Sequence, residues 1–233
     1  MAQFYYAYDI ALGKEFFFSE KESAHLKVFR VKKGEKIKVF SPLGRYEVSI
    51  KDFKGGLVSA LPLRKIEDPP KQVKINLFFS FVEKSAFEEI LRKGTETGCD
   101  SFIPIICEFT QKNHILDIKE KRERFEEIIF SSVKQCERPD IPSLLEPVEF
   151  KEIFSFAVNP FIFSKENSKN ICLLSDKISK EISAVIGPEG GFSPSELSYA
   201  ENKAVFASLG PNILRTQTAA AAACALISAL KSK

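Results

Sequence analysis

The chain has 233 residues, 44% of them hydrophobic, with 22 phenylalanines and no tryptophan, which is enough apolar mass for one large core or two modest ones. Its 34 lysines and arginines against 31 acids leave a formal net charge of only +3, so overall charge selects no partner class. No run of roughly 18 apolar residues occurs, and the start MAQFYYAYDI lacks a basic region followed by an apolar one, so a membrane span and a signal peptide are excluded and a cytoplasmic protein is expected.

Taken in chain order, the first third reads as short strands. QFYYAYDI (3–10), EKIKVF (35–40), RYEVSI (45–50) and LVSALPL (57–63) are separated by the turn clusters SPLG and FKGG, a spacing that predicts a small antiparallel sheet or barrel. This third is also the basic part: residues 1–72 carry 14 lysines and arginines against 9 acids. HLKVFRVKKGEKIK (25–38) alone holds six of those bases and one acid. Such a run is either a solvated face or a surface for phosphates. The paired prolines of LRKIEDPPK (63–71) then remove backbone donors and force extended chain, which sets a domain boundary there.

Beyond the prolines the pattern alternates strand and helix. KINLFFSF (74–81) is a continuous apolar run suited to a strand buried on both faces. KSAFEEILRKGTETG follows with Phe87, Ile90 and Leu91 on one helical face, and Glu88 with Arg92 and Glu89 with Lys93 four apart on the other. FIPIICEFT (102–110) reads as a strand, and a second helix has Phe125, Ile128, Ile129, Val133 and Cys136 along one side. FIFS (161–164), AVIGP (184–188) and AVFASLG (204–210) are further strands interleaved with helices, so a mainly parallel α/β sheet is expected. The alanine run 219–223 predicts a tightly packed helix, and Leu226 and Ile227 an apolar face that serves either a core or an interface. Five widely spaced cysteines with no C-x-x-C pair, and only His25 and His114, argue against a disulfide framework and against a metal site.

SAVIGPEGGFSPS (183–195) places three of the 11 glycines, Gly187, Gly190 and Gly191, within five positions after an apolar strand. Ligands gather beyond the carboxyl ends of strands in open parallel sheets, and glycine lets backbone approach them closely. Ser193, Pro194 and Glu196 have the spacing of a helix start with a reciprocal capping box. Neither G-x-G-x-x-G nor G-x-x-x-x-G-K-[ST] is present, which argues against a phosphate loop. A structural turn, or close contact with a flat or neutral ligand such as an adenosyl group, remains. SLGPNILRTQTAAAAACALISAL (208–230) is built the same way, with a strand end, Gly210-Pro211, a lone Arg215, then Thr216, Gln217 and Thr218 opening a helix. Two such elements so close together can flank one ligand. Arg215 at a helix start is either an anion-stabilising group or half of an ion pair.

IGPEGGFSPSEL together with SLGPNILRTQTAA resembles the signature of the RsmE family of ribosomal RNA methyltransferases, in the SPOUT superfamily. HLKVFRVKKGEKIKVF is similar to that family's N-terminal block at His25, Val28, Arg30 and Gly34. KSAFEEILRKGTETGCDSFIPI matches at Lys84, Lys93, Gly98 and Pro104, and KQCERPDIP at Gln135, Arg138 and Pro142. The resemblance implies a PUA-like β-barrel over 1–70 that contacts RNA, then a SPOUT α/β domain over 73–233 with a C-terminal trefoil knot. It implies S-adenosylmethionine as cofactor, N3 of a uridine in small-subunit (16S) ribosomal RNA as target, and a homodimer. Carried over by position, the cofactor site uses Phe163, Ser164, Glu166, Gly187, Pro188, Glu189, Gly190, Gly191, Ser208, Leu209, Gly210, Ile213 and Leu214. RNA contacts fall on His25, Lys27, Arg30, Lys32, Lys33 and Lys84. Phe109 stands where the family has arginine, Lys134 where it has glutamate, and Glu137 where glycine is common.

For such a reaction the nucleophile is the N3 anion, with charge spread onto O2 and O4. Arg215 is the expected stabiliser of that charge, with Arg138 as a second candidate or a phosphate contact. Glu189 and Glu166 are the carboxylates available as base, and Glu189 can equally serve to hold its loop. Two other readings compete: a SPOUT methyltransferase for ribose O2′ or another base, and a non-catalytic RNA-binding module.

Overall fold

The computed structural model describes residues 5–41, 43–67, 70–115, 117–166 and 168–231. Within it the chain forms two units, Met1–Pro70 with Val133–Ile141, and Lys71–Ser132 with Pro142–Lys233.

The first unit has strands β1 (Tyr5–Tyr6) and β2 (Phe16–Phe17), helix α1 (Glu20–Val28), and strands β3 (Lys36–Ser41), β4 (Gly44–Lys54) and β5 (Leu57–Ile66). They make one sheet in the order β1-β3-β4-β5-β2. The sheet is mixed, because β1 runs parallel to β3 while the other pairs are antiparallel. That corrects the expected antiparallel arrangement. The expected strand 3–10 shortens to Tyr5–Tyr6, with residues 3 and 4 outside the described residues.

Helix α1 lies where only strands were expected. Its periodic apolar signal is weak, since Leu26 is its one buried apolar residue. Polar contacts hold it instead. Ser19 caps its start by accepting from the Glu22 N–H. The buried Ser23 hydroxyl donates to the Phe18 carbonyl and accepts from the Val58 N–H, which ties the helix to β5. The basic run 25–38 is therefore a helix end, a turn and the start of β3, not one continuous strand face. Tyr5, Leu26, Val39, Val48, Ile50 and Val58 form the core between helix and sheet.

The second unit continues with β6 (Lys74–Ser80), α2 (Lys84–Glu96), β7 (Ser101–Ile106), α3 (Ile118–Cys136), β8 (Ser143–Leu144), β9 (Val148–Glu149), β10 (Pro160–Phe163), β11 (Lys169–Asn170), β12 (Glu181–Ile186), α4 (Pro194–Ala200), β13 (Val205–Ser208) and α5 (Thr216–Lys231). The last residues of α3 count with the first unit. Every recorded strand pair here is parallel, in the order β11-β13-β10-β12-β6-β7-β8, with β9 also on β7.

Strand β6 is covered on both faces, as its apolar run predicts. Phe78 joins Ile103, Ile105, Ile162 and Val185 on one side. Phe79 meets Phe87 of α2, with ring centroids 5.0 Å apart, and Phe87 meets Phe125 of α3 at 4.8 Å. In α3, Phe125, Ile129 and Val133 are buried, while Ile128 and Cys136 are only half-buried. Strand β7 stops at Ile106, short of the expected 110, because Cys107–Thr110 turns, with the Thr110 N–H donating to the Cys107 carbonyl. The alanine-rich α5 packs closely through buried Ala220, Ala223, Cys224 and Ile227, which places Ile227 in a core. Among the described residues, no helix is long and apolar enough to cross a membrane.

Candidate functional site

Strands β13, β10 and β12 lie side by side, so their carboxyl ends Ser208, Phe163 and Ile186 open onto three adjacent loops. The loop after β12 owes its path to its glycines. At Gly187 a Cβ would come within 3.0 Å of the Phe192 ring. Gly191 has φ +75, a left-handed conformation that closes a tight turn in which its N–H donates to the Pro188 carbonyl at 2.9 Å. The capping box follows as expected: Ser193 Oγ accepts from the Glu196 N–H, and the Glu196 carboxylate accepts from the Ser193 N–H at 2.8 Å.

Glu196 does more than close its own helix. Its other oxygen accepts from the Glu108 N–H at 2.9 Å, so one buried carboxylate joins α4 to the end of β7. Hydrogen bonds from the Ser193 and Ser195 hydroxyls hold the Glu108 carboxyl below its ordinary range. Burial pushes the Cys107 thiol up, and the Glu196 carboxylate adds to that, so Cys107 stays protonated. It is packing, with no sign of an activated nucleophile.

The third loop is joined to the second by Thr216, whose hydroxyl donates to the Gly187 carbonyl at 3.2 Å. The two motifs that spacing alone made neighbours are thus bonded to each other. Together the loops enclose a cavity of about 370 Å³. All thirteen residues expected at the cofactor site line it, from Phe163, Ser164 and Glu166 through the Gly187–Gly191 loop to Ser208, Leu209, Gly210, Ile213 and Leu214. Lys165, Ile186, Phe192, Leu197, Asn212, Thr216 and Ala219 complete the wall.

A second cavity, of about 660 Å³, is lined by Glu83, Ser85, Ala86, Glu89, Arg215 and Gln217, and shares Glu189, Ile213 and Leu214 with the first. Arg215 lies here, exposed, and no ion pair is recorded for it among the described residues. Arg138 is different. Its side chain is only 9% exposed and engages Asp140 through Nε and Nη2, at 3.3 and 2.6 Å. It lines neither cavity. Among the described residues, no group of three or more His, Cys, Asp or Glu side chains comes together as metal ligands would.

A family profile described as RNA methyltransferase domain matches residues 69–228. The ribosomal RNA small subunit methyltransferase E of Mesomycoplasma hyopneumoniae is 33% identical over 160 residues, covering 67% of this chain and 69% of that protein. The chain belongs to the RsmE family of RNA methyltransferases. The Aquifex aeolicus RsmE protein is 29% identical across 86% of this chain and 88% of its own. A putative methyltransferase from Legionella pneumophila, solved with bound SAM, superposes with a TM-score of 0.82 at 26% identity over 98% of both chains.

In this RsmE-family chain the residues expected to touch RNA divide between the units. His25, Lys27, Arg30, Lys32 and Lys33 belong to the first and Lys84 to the second. The His25 ring sits edge-on to Tyr5 and Phe29, with centroids 5.5 and 4.9 Å away. Lys27 Nζ donates to the Gly56 carbonyl, and Lys33 pairs at 3.9 Å with Asp52. Arg30 is exposed with φ +53.

Each departure from the family pattern has a local setting. Phe109, 45% exposed, packs on the glycine loop, its Cβ 3.3 Å from where a Cβ on Gly190 would stand. Lys134 Nζ pairs with the nearly buried carboxylate of Glu22. Glu137 has φ +60, the left-handed conformation that glycine adopts without cost.

Proposed function

We propose that the protein transfers a methyl group from S-adenosylmethionine to N3 of a uridine in small-subunit ribosomal RNA. One observation carries the reading: both glycine-bearing loops wall a single cavity, and a second cavity containing Arg215 shares Glu189 with it. The lining fits the cofactor's chemistry. Phe163, Ile186, Phe192 and Leu197 suit an adenine ring, Ser164, Ser208 and Asn212 its polar edges, and Glu166 and Glu189 its positive charge. Beyond Gly210, with φ +128, a side chain would meet nothing within 4 Å, so the backbone there is bare toward open space.

Bound S-adenosylmethionine supplies a methyl group already activated on a sulfonium, so the chain's own task is to hold, orient and deprotonate the acceptor. Glu189, facing both cavities, takes the N3 proton onto its carboxylate. The charge left on the base spreads to O2 and O4, where the Arg215 guanidinium stabilises it. Arg138, its guanidinium engaged by Asp140, serves in this reading as a phosphate contact. Arg215, exposed and with no ion pair among the described residues, also favours catalysis over a bare RNA-binding module.

The same reading takes residues 1–70 as a PUA-like RNA-contacting domain and 73–233 as a knotted SPOUT domain, working as a cytoplasmic homodimer on ribosomal RNA in the small subunit. Support for the first part is the exposed basic set Lys27, Arg30, Lys32 and Lys33. Incubation with labelled S-adenosylmethionine and unmodified small ribosomal subunits, followed by mass spectrometry of nucleosides, is expected to yield N3-methyluridine. Another methylated nucleoside would redirect the target, and none would remove the reading. Arg215→Ala is expected to cut kcat about 100-fold, the usual scale for one lost charge-stabilising donor. Full activity in that variant at saturating RNA would contradict the assignment.

A further inference from the structure

The wall of the second cavity carries three carboxylates, Glu83, Glu89 and Glu189, against the guanidinium of Arg215, and of the three Glu89 is paired with Lys93. An excess of negative charge repels phosphate, so this space suits a neutral ring better than the backbone that carries it. The ring that enters sits against Glu189, Ile213 and Leu214, the wall it shares with the cofactor cavity. A methyl acceptor has to be there, because acceptor and donor carbon must approach to about 3–3.5 Å.

Gln217 lines this cavity from the first turn of α5. No hydrogen bond is recorded for its carboxamide among the described residues, and none for the Arg215 guanidinium. Arg124 and Arg64, also exposed, are by contrast engaged by Glu88 and Glu47. The residue between them is fixed, since Thr216 is buried and bonded to Gly187. Two uncommitted donors therefore flank an anchored turn at one cavity wall.

We propose that this cavity takes the extruded base alone, with its phosphates outside, and that Gln217 joins Arg215 in donating to the two carbonyls beside the reacting nitrogen. The proposal rests on the methyl-transfer reading above. Uracil presents a carbonyl on each side of N3, whereas cytosine presents one carbonyl and one amine, so two donors match uracil. When the N3 proton leaves, charge moves onto both oxygens and both hydrogen bonds strengthen. Gln217 thereby acts on the rate and on its pH dependence, more than on ground-state binding.

Gln217→Leu and Gln217→Glu are compared with the unaltered protein by calorimetry with S-adenosylmethionine, and by kcat and KM on unmodified small subunits from about pH 6 to 10. Both variants are expected to bind the cofactor within about twofold of the parent. Gln217→Leu is expected to lose about 10- to 100-fold in kcat/KM, mostly in kcat. Gln217→Glu keeps the shape but sets an anion against the developing one, so it is expected to lose more and to move the rise in rate to higher pH. An active parent whose two variants match its kcat/KM and pH profile overturns the assignment of Gln217 and leaves the function standing. Variants whose cofactor affinity falls as far as their rate place Gln217 at the cofactor, which also overturns it. A parent that neither binds the cofactor nor methylates overturns both readings.

Discussion

At Gly187 the backbone has little room for a methyl group. A Cβ there would meet three atoms of the Phe192 ring at 3.0, 3.1 and 3.2 Å, and that ring is itself packed on Phe150 with centroids 5.3 Å apart. The ring must give by a few tenths of an ångström, and its packing on the buried Phe150 resists that shift. Gly187→Ala is expected to cost about 1–3 kcal/mol of stability, the usual scale of overpacking. It also displaces the carbonyl that Thr216 holds, so cofactor affinity should fall at least about tenfold. Thermal melting and calorimetry check the two effects separately, and an unchanged melt with unchanged affinity would disprove the close approach. That the two glycine-bearing loops would flank one site was legible from the spacing of strand end, turn and helix start, whereas the thirteen positions that line the cavity came from the family resemblance. Gln217 was visible only as a polar residue opening a helix, and Arg138 stood as a second candidate behind Arg215. The fold adds that Arg138 is engaged by Asp140, two residues on, while Arg215 stands at a cavity wall.

At the scale of elements, helices α1 and α3 both end on a left-handed residue that is not glycine. Arg30 sits just beyond α1, where its N–H donates to the Lys27 carbonyl and the Val31 N–H donates to the Leu26 carbonyl, with Leu26 and Val31 both in the core. This is the Schellman arrangement, whose left-handed position usually holds glycine. Glu137, directly after α3, is likewise left-handed. A left-handed non-glycine residue costs about 1–2 kcal/mol, offset in part by the extra unfolded-state freedom of glycine. Glu137→Gly and Arg30→Gly are each expected to stabilise by about 0.5–1 kcal/mol, raising the melting temperature by roughly 2–4 °C. Arg30→Gly should also weaken RNA binding and flatten its salt dependence, because strain kept at an exposed cation marks a functional position. Melting curves and RNA titrations at two salt concentrations test the pair, and equal RNA affinity for all three proteins would make Arg30 merely strained. Helix α1 itself escaped the sequence because its stability lies in Ser19 and Ser23, which touch partners as distant as Val58. The parallel α/β grammar of the second unit was legible, since buried apolar runs and helical faces repeat there without such long-range polar support.

Across the whole molecule, the titrating groups are expected to give a stability plateau with an acid and an alkaline edge. In the second unit, hydrogen bonds from the Arg124 guanidinium hold the Glu88 carboxyl below its ordinary 4.5, and Lys74 with Asn76 does the same for Glu181. A carboxyl lowered by folding contributes stability above its unfolded value and loses it as pH falls through the folded one. Stability is therefore expected to decline below about pH 4.5. Glu47 and Asp52 in the first unit are lowered too, but their carboxyls are more open to water, 25% and 35% exposed, so salt screens more of their effect. Glu88, 14% exposed and gripped at 2.6 and 2.9 Å by Arg124, keeps more of its own. At the other edge, burial first and then Glu22 and Glu35 raise the Tyr5 hydroxyl from 10.0 to about 12. A raised group contributes stability below its unfolded value, so this contribution is lost as pH climbs from 10 toward 12. The two edges are expected to respond to different substitutions. Glu88→Gln should destabilise the protein at pH 7 and converge with the parent as pH falls through the lowered value of the folded carboxyl. Tyr5→Phe should shrink the loss above pH 10, leaving the shares of Tyr6 and Cys107, which burial also raises, and leave the acid edge untouched. Thermal midpoints by circular dichroism across the pH range measure both, and an alkaline edge of unchanged size in Tyr5→Phe would show that Tyr5 contributes nothing to it.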